Sequence, residues 1–262
     1  MKISIIGGGN LGTAIAEGLL KSAFCQPSDI TITKRNISTL KEWAKNGVHL
    51  TSDNNAAVRN SEMIVLAVKP YQIESVIAGF KDLLTPEHVL VSVITGVTLE
   101  DLCSMVPAHC AIFRAMPNTA IAIQESMTCI SYVNATEEQS DFVTQLFGRL
   151  GKVAVIDEKL MDAATVLGAC GTAFALRYIR ANIQAGIEIG FDAKTANLIA
   201  AQTTKGAADL LLRNGSHPEQ EIDRVTTPKG CTIVGLNEME HGGFSSSLIK
   251  GVNTSYKKIA KD

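Results

Sequence analysis

What this 262-residue sequence lacks narrows its function before any motif is read. Charge of one sign is missing: 24 Lys and Arg face 26 Asp and Glu, a net charge of −2. No basic stripe stands out, which argues against a general nucleic-acid binder. No CxxC occurs among the six cysteines, Cys25, Cys103, Cys110, Cys129, Cys170 and Cys231, so they read as reduced thiols serving as small apolar filler. The five histidines form no HExxH or other ligand spacing, so no metal site is expected. No basic segment followed by an apolar one opens the chain, so no secretory signal is expected. The longest uncharged run, Ala163–Leu176, is short and rich in Gly, Thr and Cys for a membrane span. Internal repeats, low-complexity tracts and long linkers are also missing. These absences predict a cytoplasmic protein with neither membrane nor nucleic acid as partner. With 46% hydrophobic and 19% charged residues, the chain has material for a substantial core.

The strongest positive signal lies in the first twenty residues. Lys2–Ile6 reads as an apolar strand, Gly7-Gly8-Gly9-Asn10-Leu11-Gly12 follows at once, and Thr13–Leu20 has helical spacing. Strand, Gly-x-Gly-x-x-Gly, helix is the arrangement that seats a dinucleotide pyrophosphate. Gly7 permits the tight turn, Gly9 lets the backbone approach the phosphates, and Gly12 lets the helix lie close to the strand. Asn10 and Leu11 carry first-turn amides that face the negative charge.

Further strands are expected at Ile30–Thr33, Met63–Val68, Val89–Ile94 and Ala111–Ala115, with edge strands at Met127–Tyr132 and Val153–Ile156. Helical stretches fall between them: Asn36–Asn46, Tyr71–Leu84, a short one after Thr98, and Glu137–Leu150. This alternation predicts an α/β fold, a doubly wound parallel sheet of Rossmann type, over residues 1–157. Ligands in such sheets bind beyond the carboxyl ends of the strands. Those ends carry the glycine turn, Lys34-Arg35, Ala67-Val68-Lys69-Pro70 and Met116-Pro117-Asn118, all assigned to cofactor binding. Where an acid would hold the ribose of NAD, Lys34 and Arg35 offer two cations suited to a 2′-phosphate. NADPH is the expected cofactor, with NADH the alternative.

After Asp157 the strand signal disappears. Residues 158–262 read as an all-helical substrate and dimerisation domain, with helices over Thr172–Ile189, Ala193–Arg213, Thr232–Glu240 and Ser245–Ile259. Apolar side chains such as Ile183, Ile187, Leu198, Ile199 and Leu210–Leu212 occupy more than one face. A small helical domain with that much apolar surface is expected to pair with a second copy.

Four stretches together carry a family resemblance. They are Ile5–Gly12; Ala67-Val68-Lys69-Pro70; Arg114-Ala115-Met116-Pro117-Asn118-Thr119; and His217-Pro218 with Val225-Thr226-Thr227-Pro228-Lys229-Gly230-Cys231-Thr232. With the downstream Glu240-His241-Gly242-Gly243-Phe244, the last is the most specific. Across essentially its whole length the sequence resembles the pyrroline-5-carboxylate reductases. The resemblance implies NAD(P)H-dependent reduction of a cyclic imine, 1-pyrroline-5-carboxylate, to L-proline, the last step of proline synthesis. It also implies a homodimer through the helical domain, dimers of some members assembling into larger rings. The sequence departs from the family at Lys229, where a glycine is usual, and at Asn118-Thr119-Ala120, where a proline is usual. It departs also over Leu167-Gly168-Ala169-Cys170-Gly171-Thr172-Ala173, which lacks two serines and a proline.

The reaction needs little acid–base apparatus, because a protonated imine is already an electrophile and the cofactor supplies hydride. Lys229-Gly230-Cys231-Thr232 precedes a helical run, Ile233–Met239, whose first amides would hold the substrate carboxylate. The Thr232 hydroxyl, the one catalytic assignment, would hydrogen-bond the ring nitrogen and orient the imine. Read locally, Thr227 or Thr232 is equally a helix cap, and Asn118, the fifth substrate-side residue, equally an Asx-turn. Alkylation of Cys231 within this turn is expected to inhibit. Two other functions fit the same architecture. One is an NADP-dependent 3-hydroxyacid or imine dehydrogenase, for which Lys194 and Lys205 are available; the other is a non-catalytic NADPH-binding protein.

Overall fold

The computed structural model describes residues 1–260. They fall into two compact units, one of Met1–Cys170 together with Ile259 and Ala260, the other of Gly171–Lys258. In the first, strands β1 (Ile3–Ile6), β2 (Ile30–Thr33), β3 (His49–Thr51), β4 (Met63–Leu66), β5 (Val89–Ser92), β6 (Ala111–Met116), β7 (Ser126–Val133) and β8 (Gly151–Val155) form one sheet. Their order is β3-β2-β1-β4-β5-β6-β7-β8. The intervening helices are α1 (Asn10–Ser22), α2 (Lys41–Lys45), α3 (Asn54–Arg59), α4 (Ile73–Phe80), α5 (Leu99–Met105) and α6 (Glu137–Gly148).

Apolar residues pack both faces of the sheet, as continuous hydrophobic strands require. One face buries Ile5, Ile15, Leu19, Ile32 and Phe113. The other buries Ile64, Leu66, Ile77, Phe80 and Leu102. Burial raises the thiol pKa of Cys110 and Cys129 and keeps both in the inert, protonated form.

Three expectations need correction. The sheet is not parallel throughout: β7 pairs antiparallel with β6, and β8 pairs parallel with β7, so the last two strands run against the first six. The chain between Met116 and Ser126 holds only a short 3₁₀ turn, Thr119–Ile123, and a parallel crossover needs about a dozen residues or more. The stretch Asn36–Asn46 is not one helix. The Asn36 side chain accepts from the Ser38 N–H, which starts a 3₁₀ turn over Ile37–Leu40 before α2. Strand β3 and helix α3 were not expected at all; both are short, and α3 depends on Asp53, whose carboxylate accepts from the Asn55 and Ala56 amides.

Beyond β8 the described residues hold helices only. Glu158–Leu160 is a 3₁₀ turn, α7 spans Met161–Ala164, and a π-helical segment covers Thr165–Cys170. The second unit contains α8 (Gly171–Glu188), α9 (Ala193–Asn214), α10 (Pro218–Arg224) and α11 (Cys231–His241), followed by α12 (Phe244–Ala260). Its buried apolar cluster is small: Ile183, Ala196 and Ala200, with Ile179 against them. Leu198, Ile189 and Leu212 stay at least two-thirds exposed. The helical run Glu158–Glu188 is long and apolar enough by length and composition to cross a membrane, an 18-residue window within it having a mean hydropathy of 1.2. That differs from the reading of Ala163–Leu176, because the helix continues on both sides of the uncharged stretch. Among the described residues no group of three His, Cys, Asp or Glu side chains could hold a metal ion.

Candidate active site

The glycine turn is built by strain that only glycine relieves. Gly7 adopts φ +117°, and a Cβ there would lie 2.6 Å from the Ala67 carbonyl oxygen. The Gly7 and Gly8 amides donate to the Thr33 carbonyl at 3.2 and 2.8 Å, tying the turn to the end of β2. A Cβ on Gly12 would lie 2.1 Å from the Gly7 carbonyl oxygen, so α1 rests directly on the turn. Gly9 differs: a Cβ there would meet nothing within 4 Å. It is the N-cap of α1 and supplies no side-chain cap bond, so the opening amides of the helix face outward with no internal acceptor from the cap.

That open face borders a cavity of about 760 Å³ at the carboxyl ends of the strands. Its volume suits a large cofactor. Gly7, Gly9, Asn10 and Leu11 form one wall. Lys34 and Arg35 lie at the β2 end, half-buried and exposed respectively. Ala67-Val68-Lys69-Pro70 and Met116-Pro117-Asn118 complete the expected set. Gly12 is not in the wall; it lies beneath the turn and supports it. The walls also hold residues outside the expected cofactor set, Ser52, Asn54 and Ala169 among them. Ser52 and Asn54 follow the short β3, where the Ser-Asp-Asn cluster was the available signal. Ala169 reaches the cavity from the π-helical segment.

Asn118 is the Asx-turn that local sequence allowed, and more. Its Oδ1 accepts from the Ala120 amide at 3.0 Å, while its Nδ2 donates to the Gly168 carbonyl at 3.2 Å. Its side chain therefore shapes the cavity by tying the turn after β6 to the π-helical segment Thr165–Cys170.

In the second unit the signature stretch makes a turn of its own. Lys229 sits at φ +61°, the left-handed region, and the Gly230 amide donates to the Thr227 carbonyl at 2.9 Å. Gly230 is the N-cap of α11 and offers no side-chain cap; a Cβ on it would meet Thr227 Oγ1 at 2.5 Å. Neither Thr227 nor Thr232 caps this helix. Thr232 is instead its second residue, half-buried, and Cys231 is exposed. Upstream, His217 caps α10 and accepts from the Glu219 amide. The Ser216 hydroxyl, with Arg224, holds the Glu221 carboxyl below the usual carboxylate range and fastens the start of that helix.

The left-handed Lys229 yields a direct prediction. An L side chain in this conformation costs about 1–2 kcal/mol, which glycine avoids. Lys229→Gly should raise Tm by about 2–8 °C, and Lys229→Val should lower it, in a thermal melt followed by circular dichroism.

A mostly parallel sheet wound on both faces, a glycine turn opening onto a cavity at the strand ends, and an all-helical second unit define a nicotinamide-dinucleotide oxidoreductase. Comparison with known proteins narrows the class. Residues 158–262 match the profile described as pyrroline-5-carboxylate reductase dimerisation. Residues 2–96 match that of the coenzyme F420-dependent NADP oxidoreductases. Pyrroline-5-carboxylate reductase 1 of Dictyostelium discoideum is 45% identical over 98% of this chain, which spans 49% of that relative's length. Pyrroline-5-carboxylate reductase 2 of the same organism is 42% identical, covering 99% of this chain and 92% of the relative. The crystal structure of Plasmodium falciparum pyrroline carboxylate reductase with NADP bound superposes with a TM-score of 0.90 at 26% identity. It covers 98% of this chain and 96% of that one. The chain belongs to the pyrroline-5-carboxylate reductase family. It is an oxidoreductase of the class acting on CH–NH groups with NAD(P).

Proposed function

We propose that the chain performs its family's reaction, reduction of 1-pyrroline-5-carboxylate to L-proline in proline synthesis, through the two turns described above. The observation that carries this reading is likeness along the whole length: 42% identity to a reductase of which the chain covers 92%. The open face of Gly9 and the uncapped amides of α1 fit a pyrophosphate. Bound there, NAD(P)H supplies the hydride. Lys34 and Arg35, with Ser52 and Asn54 beside them, are the residues that favour a 2′-phosphate and hence NADPH. Lys69 and Pro70 contribute backbone to the same cavity. The amides at Lys229–Thr232 hold the substrate carboxylate against the positive end of α11. Thr232 donates to the ring nitrogen and orients the imine, and Asn118 shapes the pocket. Functionally the nucleotide domain is 1–157 and the substrate and dimerisation domain 158–262.

The partner is a small cyclic imino acid, and the assembly a homodimer. Exposed Leu198, Ile189 and Leu212, within the stretch that matches the dimerisation profile, support pairing with a second copy. The apolar run Glu158–Glu188 lies within the same stretch, so its surface is assigned to protein, not lipid. A cytoplasmic location and a ring of dimers complete the reading; light scattering of the purified protein distinguishes dimer from ring.

One assay tests the function: purified protein, pyrroline-5-carboxylate and NADPH, with loss of nicotinamide absorbance followed. Cofactor binding without turnover would favour the non-catalytic reading. Turnover only of hydroxyacids in the oxidative direction would favour the dehydrogenase, although Lys205 is already engaged by Asp209 at 2.5 Å. Cofactor choice has its own test. Arg35→Ala should raise the KM for NADPH about tenfold, the value of one charge-assisted hydrogen bond, and leave that for NADH unchanged. Equal responses would overturn the assignment.

A further inference from the structure

Arg114 is an arginine inside a sheet. It lies on β6, 2% exposed, on the same face as Ile112 and Met116. A buried guanidinium persists only with a partner. Here Nη1 donates to Glu158 Oε1 at 2.8 Å, and Nη2 lies 3.7 Å from Asp162 Oδ1. Neither Nε nor Nη2 makes a hydrogen bond. The Glu158 oxygen also accepts from the Leu99 amide at 2.5 Å. One carboxylate thus ties β6 to the first amide of α5 and to the turn that opens the helical run. Asp162, one helical turn further along, places a second carboxylate beside the same guanidinium.

Immediately after these two acids the run widens into the π-helical segment Thr165–Cys170. Such segments are rare and concentrate at functional sites. This one touches the cavity at two points: Gly168 accepts from Asn118, and Ala169 lines the wall that Met116–Asn118 also form. In the strand order, β6 lies on the opposite side of β1 from β2, where Lys34 and Arg35 lie. A dinucleotide crossing β1 with its adenosine half toward β2 has its nicotinamide half toward β6.

We infer that Arg114, acting through Glu158 and Asp162, is a positioning residue for the nicotinamide half of the cofactor. The buried ion pair anchors the start of the helical run, so the π-helical segment meets Asn118 and presents Ala169 to the cavity at a fixed height. The inference rests on the reading that a dinucleotide fills this cavity. It differs from a general contribution to stability in predicting an effect confined to one half of the ligand.

The test compares two ligands on the full chain. Glu158→Gln keeps an acceptor for the Leu99 amide but removes the charge that holds Arg114. It should raise the Kd for NADPH about tenfold, as a small misplacement in a site does, and leave that for 2′,5′-ADP, which lacks the nicotinamide half, within about twofold. Parallel weakening of both ligands, or no change in either, overturns the proposal. Should this variant fail to fold, Asp162→Asn serves, because the Asp162 side chain is 36% exposed. Its amides at 165–170 should exchange with solvent at least about fivefold faster while those of α1 keep their rates. Unaltered exchange at 165–170 overturns the proposal equally. Failure of the wild-type chain to bind NADPH would sink the cavity reading itself, an outcome distinct from a variant that behaves like wild type.

Discussion

Gly12→Ala should cripple nucleotide binding. The added carbon would sit 2.1 Å from the Gly7 carbonyl oxygen, far inside contact distance, and its position is fixed by the backbone, as is that of the oxygen it meets. No rotamer change relieves it. Helix α1 must retreat from β1, at a cost of about 3 kcal/mol, the top of the range for overpacking. The retreat also carries the α1 amides away from the phosphates. A fluorescence titration with NADPH should show an affinity loss of about a hundredfold or more, with a lowered Tm. Gly9→Ala provides the contrast. Its carbon would meet no protein atom within 4 Å, so Tm should hold while NADPH binding weakens, because the space it enters is the ligand's. If both variants bind NADPH like wild type, the glycine turn does not hold the pyrophosphate.

The second large effect is expected at Thr232. Removing a donor that orients the reacting group and stabilises charge at its nitrogen should lower kcat by about 10²–10³-fold in Thr232→Ala. Thr232→Ser should keep most activity, because the hydroxyl survives. Stability and NADPH affinity should be unchanged in both, since Gly230 is the N-cap of α11 and Thr232, the second residue of the helix, supplies no capping bond. Steady-state kinetics with NADPH and the imine, beside a thermal melt, measure the split. A Thr232→Ala enzyme with wild-type kcat would return this residue to a structural role. A Tm loss matching the activity loss would do the same.

Much of the site could be read directly from residue order. The strand, glycine turn and helix at the N-terminus form as the spacing of Gly7, Gly9 and Gly12 requires, because each glycine answers a local steric demand. The segments Lys34-Arg35, Ala67–Pro70 and Met116–Asn118 converge on one cavity, since consecutive crossovers bring strand ends to the same edge of the sheet. Other features were invisible for a physical reason. Asn118 reads as a ligand contact or an Asx-turn; its bond to the Ala120 amide is the turn, but its bond to Gly168, fifty residues on, lies outside any local window.

Residue order alone carries what is local: most strands and helices, the glycine turn, the helical character of the second unit and the residue types at the strand ends. These follow from near-neighbour sterics and apolar period, which a short window contains. Long-range packing sets the reversed direction of β7 and β8, the addition of β3 with Ser52 and Asn54, the π-helical wall at Ala169 and the burial of Arg114. Each depends on which distant segment becomes a neighbour. An arginine in an apolar strand is tolerable only because Glu158 and Asp162 arrive beside it, and no local window contains that pairing.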